Sequence, residues 1–169
     1  SWKCWPCDAG GDVFSFVMRR ENVDFREALR ILAERAGIEL SSSGPKVEPG
    51  SPSDKSTLFK AMAWAEKQFH RYFLEAADAQ AARDYVAERS IQSESVERFK
   101  IGYAPNEWNW LMDRAASTSY SPAVLEAVGL IIKNEQGRRY DRFRGRVIFP
   151  IRDTQNRPIA LGGRILPAL

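Results

Sequence analysis

Tyr140-Asp141-Arg142-Phe143-Arg144-Gly145-Arg146-Val147-Ile148-Phe149-Pro150-Ile151-Arg152 is an arginine-studded run that passes directly into an apolar one. Leu161-Gly162-Gly163-Arg164 follows shortly after it. Residues 147–152 and 158–161 read as two strands around the turn Asp153-Thr154-Gln155-Asn156. Pro150 cannot donate to a ladder, so the first strand is expected at an edge or with a bulge. Upstream, residues 130–132 and 138–140 flank Asn134-Glu135-Gln136-Gly137 and read as a hairpin. The arginines of this region fall on a strand pattern. With Phe143 and Gly145 between them, Arg142, Arg144 and Arg146 are expected to share one face, and Phe143 to point into the core.

Charge is concentrated there. Residues 138–169 hold eight arginines and two acids, a net of +6, whereas the whole 169-residue chain carries +3. The preceding 137 residues are therefore slightly acidic. A cationic arm with interleaved aromatics suits a phosphate backbone, because the planar guanidinium stays charged and pairs bidentately with phosphate. The plainer role for each arginine is a solvated strand face or the partner of a nearby acid. Asp141 and Asp153 lack the clustered spacing that a two-metal site requires.

Working outward, the middle of the chain is helical. Leu58, Met62, Ala65, Phe69, Tyr72 and Phe73 mark one face of a long helix from about Asp54. Residues 79–88 form a second helix, and Ser93–Phe99 a third with Ser93 as its cap. Ile101-Gly102-Tyr103-Ala104-Pro105 is an extended break. Helices over 108–116 and Pro122–Ala127 follow, the latter with Pro at its first position after Ser121. Trp64, Trp108 and Trp110 are expected to pack helices.

Residues 41–53 read as a flexible linker, since ten of the thirteen are Gly, Pro or Ser. Before it, Asp12 caps a helix over 13–20, and Asp24-Phe25-Arg26-Glu27 opens a second one closed by Gly37. Cys4-Trp5-Pro6-Cys7 is a knuckle that can place two thiolates on a tetrahedral zinc. The chain has no other Cys and only one His, His70, best read as a packed or surface helix residue. A redox pair, or half of a zinc ribbon completed by ligands upstream, are the other readings. Lys3 is a candidate phosphate contact, and Trp2, Trp5 and Phe14 are candidates for base stacking or for a small core. No run of ~18 apolar residues predicts a membrane span. No signal peptide is visible and two cysteines make no disulfide framework, so the expected setting is cytoplasmic. The absence of an initiator Met suggests a fragment.

Four motifs resemble bacterial DnaG-type primases, in the family's order. Lys3-Cys4-Trp5-Pro6-Cys7 with Gly10-Gly11-Asp12 and the apolar residues 13–17 is similar to the end of that family's zinc-binding domain. Phe25-Arg26-Glu27-Ala28-Leu29 with Leu32-Ala33-Glu34-Arg35-Ala36-Gly37-Ile38 resembles the helix that ends it. Tyr85-Val86-Ala87-Glu88-Arg89 with Phe99-Lys100-Ile101-Gly102-Tyr103-Ala104-Pro105 is similar to the opening of the polymerase core. The run 140–151 with Gly162-Gly163-Arg164 is the most specific match. Only the second half of the family's Cys-x-x-His…Cys-x-x-Cys ligand set is here, and Ser90 stands where many relatives have Gly.

The resemblance implies an α+β chain in three parts. Residues 1–40 would be the C-terminal part of a zinc-binding domain, a small zinc-ribbon remnant with helices. Residues 41–53 would be the linker. Residues 54–169 would be the N-terminal subdomain of the primase RNA polymerase core, a helical region with a partial mixed or antiparallel sheet. The TOPRIM subdomain, which binds Mg²⁺, would lie beyond Leu169. The parent would be a nucleotidyltransferase making short RNA primers from ribonucleotides on single-stranded DNA. It would work with the replicative helicase through an absent C-terminal domain. The fragment would bind template but be inactive alone. Arg89, Arg142, Arg144, Arg146 and Arg164 are its nucleic-acid-binding candidates, and Cys4 and Cys7 its half zinc site. No catalytic residue is assigned. A non-catalytic zinc-ribbon regulator that binds nucleic acid is the alternative.

Overall fold

The computed structural model describes residues 1–40 and 47–166. The chain divides into two compact units, residues 1–46 and 47–169. The central part of the expected linker, 41–46, lies outside the described residues.

In the first unit, strands β1 (Trp2–Lys3) and β2 (Gly10–Gly11) pair antiparallel, with the cysteine knuckle at the tip of this short ribbon. Helix α1 (Val13–Glu21) begins where the Asp12 carboxylate accepts from the Ser15 N–H, and ends at Asn22 in the left-handed region. Helix α2 (Phe25–Ala36) starts in the same way, with Asp24 accepting from the Glu27 N–H. Gly37 ends it and donates back to Ala33 and Glu34. Val17, Ala28 and Ile31 form the core between the two helices.

The second unit opens with turns at 48–54 that are tied to the next helix. Ser51 donates to the Glu48 carbonyl, and Gly50 to the Asp54 carboxylate, which also takes the Ser56 N–H and the Thr57 hydroxyl. The end of the expected linker is thus a built helix entrance. Helix α3 (Lys55–Glu75) buries Ala61, Met62, Ala65, Phe69 and Phe73 along one face. A short 3₁₀ turn (Ala77–Ala79) leads into α4 (Gln80–Glu88), and α5 (Ser93–Phe99) follows. The N-cap of α5 is Gln92, so Ser93 is its first helical residue and not its cap.

The expected extended break is a strand. β3 (Gly102–Ala104) is wholly buried and pairs antiparallel with β6 (Arg146–Arg152), which pairs antiparallel with β7 (Pro158–Ile165). Between β3 and β6 lie α6 (Trp110–Ala115), α7 (Pro122–Ala127) and the hairpin β4 (Ile131–Lys133)–β5 (Arg139–Asp141). β6 is the middle strand, but it meets the expectation for a proline-bearing strand locally: its pairing with β7 shifts register between Ile151 and Arg152, and β3 covers only 146–148, so Pro150 faces an open side and pairs only with β7, opposite Leu161.

Both sheet faces carry a core. Ala104 and Ile148 join Phe69, Trp110, Leu111, Leu125 and Leu130 on one side. Tyr103 and Val147 join Phe73, Val86 and Val96 on the other. Helix α3 lies so close to β3 that a Cβ on Gly102 would come within 2.7 Å of the Phe69 Cβ and 2.8 Å of its backbone carbon. Ser90, after α4, has φ of +59°, the left-handed conformation that costs a side chain least when it is absent.

Candidate nucleic-acid interface

Tyr85 and Arg89 sit one turn apart on and just after α4, so they share a face. The Arg89 guanidinium lies 4.5 Å from the centre of the Tyr85 ring. From β7, Arg164 Nε donates to the Tyr85 hydroxyl at 3.2 Å. Arg164 is paired with Val147, and Val147 with Tyr103, so Arg164 points to the sheet face that α4 covers. Two exposed guanidinia, 75 residues apart in sequence, therefore meet on one phenol.

Arg146 points to the other face, with Ala104 and Ile165 as its neighbours in register. Its stem crosses Gly163: a Cβ there would fall 3.0 Å from Arg146 Cδ and 2.8 Å from Phe143 Cδ1. Its Nη1 donates to the Gly163 carbonyl at 3.4 Å. Gly163 thus lets the Arg146 stem and a core ring lie close against the edge strand. Phe143 packs against the core as expected.

The expected common face of Arg142, Arg144 and Arg146 does not form. β5 ends at Asp141, and 142–145 is an irregular connection in which Gly145 has φ of +57°. Asp141 causes the break. Its buried carboxylate accepts from the Leu111 N–H at 2.5 Å and the Met112 N–H at 3.2 Å, capping α6 from a distant strand. Burial pushes its pKa up to about 6, against those two bonds, which favour the anion. Arg142 is exposed beside this connection. Arg144 turns back, donating to the Asp141 carbonyl at 2.6 Å and stacking 4.0 Å from Trp108 and 5.1 Å from Tyr140. Trp108 is 62% exposed and packs no helix, whereas Trp110 is buried and Trp64 partly so.

The cationic arm is partly neutralised by acids, two of them distant in sequence. Arg152 pairs with buried Glu66, Arg139 with Glu126 at 3.2 Å, and Arg157 with Asp153 at 2.6 Å. Asp153 also accepts from the Gln155 and Arg157 N–H groups, closing its turn. Among the described residues, Arg89, Arg138, Arg142, Arg144, Arg146 and Arg164 have no carboxylate within ion-pair distance. Sequence reasoning missed Tyr85 as the residue that joins Arg89 to Arg164. Its spacing of four from Arg89 was the available signal.

In the first unit, Cys4 donates its N–H to the Ala9 carbonyl at 2.6 Å, and Cys7 is exposed. Hydrogen bonding from the Ala9 backbone, then from Cys4, holds the Cys7 thiol below its usual pKa. A thiolate-favouring knuckle fits two positions of a tetrahedral zinc. Among the described residues no group of three or more candidate ligands gathers. His70 is buried, with Nδ1 on the Ile101 carbonyl at 2.8 Å and Nε2 on Glu97 at 3.3 Å, the packed role expected of it. Lys3 pairs with Asp8 at 2.5 Å. Trp2 packs on Phe16 and donates to the Asp12 carbonyl, Phe14 packs on Phe25, and Trp5 is 85% exposed. Among the described residues no helix is long and apolar enough to cross a membrane.

Fold and site define an α+β class: a ribbon-and-helix unit followed by a helical domain whose short sheet presents uncompensated arginines. Two family models match, "DNA primase catalytic core, N-terminal domain" over 69–168 and "CHC2 zinc finger" over 1–48. The chain is 40% identical to the DNA primase of Deinococcus radiodurans over 167 residues, 98% of this chain and 27% of that protein. It resembles the solved "DnaG primase catalytic domain bound to ssDNA" with TM-score 0.63 and 36% identity, over 68% of this chain and 36% of that one. Against the Aquifex aeolicus primase (zinc-binding and RNA polymerase domains) the values are 0.58 and 28%, over 98% of this chain and 38% of that one. The chain belongs to the DNA primase family, in its catalytic-core N-terminal domain. It spans roughly a quarter of the length of the curated relatives it matches.

Proposed function

We propose that this chain is the template-holding part of a DNA primase, an enzyme that makes RNA primers from ribonucleotides on single-stranded DNA. The observation that carries this reading is the meeting of Arg89 and Arg164 on Tyr85 with no carboxylate within ion-pair distance. Two guanidinia held side by side match adjacent phosphates of an extended strand. Arg142 and Arg146 extend the contact from the 142–146 segment, and Arg144 contributes through the rings that it holds. The Mg²⁺ that neutralises the triphosphate would be bound by a TOPRIM segment outside this chain, and zinc by Cys4 and Cys7 with two further ligands. A replicative helicase is the expected partner, and the cytoplasm the expected setting. Domain roles follow as 1–40 zinc-binding, 41–53 linker and 54–169 core subdomain. A stand-alone zinc-ribbon regulator does not account for the catalytic-core match over 69–168.

The test is fluorescence anisotropy of a labelled oligonucleotide across a salt series. Each phosphate contact on a single strand adds ~0.7 to the slope of log affinity against log salt. Arg89→Ala/Arg164→Ala is expected to weaken binding and lower that slope by ~1.4. Binding that ignores salt, or a slope unmoved by the double variant, rejects the reading.

A further inference from the structure

Two tyrosines of the second unit use their hydroxyls in opposite ways. Tyr72 on α3 donates to the Asp78 carboxylate at 2.6 Å, so its proton already has an acceptor. The Tyr85 hydroxyl on α4 accepts from Arg164 Nε at 3.2 Å, and among the described residues no acceptor takes its own proton. A phenol donates as well as accepts, and accepting from a guanidinium polarises its O–H into a stronger donor. The group is also held in place. The Tyr85 ring packs on the cluster of Phe73, Val86 and Val147, and the Arg89 guanidinium lies over its face, 4.5 Å from the centre. Arg164 approaches the hydroxyl through Nε, which leaves its two terminal nitrogens for a ligand. Arg89 and Arg164 are exposed, and neither has a carboxylate within ion-pair distance among the described residues. Three donors thus stand together around one ring with no acid to neutralise them, an arrangement that an oxyanion satisfies.

We propose that Tyr85 is itself a phosphate ligand. Its hydroxyl takes the Arg164 Nε–H and gives its own proton to an oxygen of the phosphate that Arg89 and Arg164 hold. The cradle is then two arginines and a neutral phenol, and the phenol supplies direction where the guanidinia supply charge. The proposal rests on the template reading above and adds to it a contact that the charge pattern does not show. The phosphate belongs to the strand or to a free triphosphate, since both offer the same oxygens.

The test is a double-variant cycle with two probes: oligothymidine by anisotropy and tripolyphosphate by calorimetry. Tyr85→Phe keeps the ring and its packing and removes only the hydroxyl, so its urea midpoint should match that of the parent. It is expected to weaken binding on the order of 10-fold with the salt slope unchanged, because a neutral donor displaces no counterion. In the Arg164→Ala background, Tyr85→Phe should still weaken binding. If the loss vanishes there, the hydroxyl serves only to aim Arg164, and the direct contact is overturned. Loss for oligothymidine alone places a strand phosphate in the cradle, and loss for tripolyphosphate alone places a free triphosphate there. If Tyr85→Phe binds both probes like the parent while Arg89→Ala/Arg164→Ala weakens oligothymidine binding, the Tyr85 contact falls and the template reading stands. A salt slope unmoved by Arg89→Ala/Arg164→Ala rejects the template reading, and the cradle with it.

Discussion

A guanidinium beside a carboxylate and one beside a ring present different surfaces to a phosphate. The first is already neutralised; the second keeps its charge and gains a fixed direction. Arg152 on Glu66 is of the first kind, and Arg89, Arg144 and Arg164 are of the second. Asp141 shows the same dependence on surroundings. Among arginines in sequence, it is buried in the fold as the cap of α6. Its folded pKa of about 6 lies above the ~3.9 of an unfolded aspartate, so the native state holds this proton more tightly. Stability from this group is therefore full below about pH 4 and lost as pH rises through about 6. The loss should be on the order of 1–2 kcal/mol once solvent screening is allowed for. Urea unfolding midpoints between pH 4 and 7 should fall for the parent and stay flatter for Asp141→Asn, whose amide oxygen still accepts one N–H. Parallel profiles for the two proteins would remove Asp141 as the cause.

At the scale of elements, the helices were legible wherever a cap and a period coincided, as at Asp12, Asp24 and Ser121. β3 was legible only as extended chain. A three-residue strand buried on both faces has no alternation to read. The arginine alternation at 142–146 misled because register there is set by Asp141 reaching α6 across 30 residues, and by the left-handed Gly145. Of the site, the candidate residues could be read but not their partners: Glu66 meets Arg152 across 86 positions. Gly102 is where the helix and sheet signals join. Its missing side chain sets how closely α3 approaches β3, and the obstacle to a Cβ is Phe69 and its backbone. Gly102→Ala should therefore separate the two elements and destabilise the fold by ~1–3 kcal/mol. Chemical denaturation would read this as a lower midpoint with an unchanged slope. A midpoint equal to that of the parent would mean that α3 yields without cost.

For the whole molecule, the distribution of apolar burial is uneven. Among the described residues, the first unit rests on one cluster of three buried side chains, whereas the second holds clusters of eleven and eight. A unit under ~50 residues with so small a core depends on other fastenings, and a four-ligand metal is the usual one. Two thiols on a two-residue ribbon cannot supply that fastening. The two units should therefore differ in local opening free energy, because amide protection follows the burial and cooperativity of the surrounding structure. Hydrogen–deuterium exchange at neutral pH should show amides of α1 and α2 exchanging at least ten times faster than those at the centre of α3 and in β6. Protection of α2 equal to that of α3 would show that the ribbon unit draws its stability from something other than its own core.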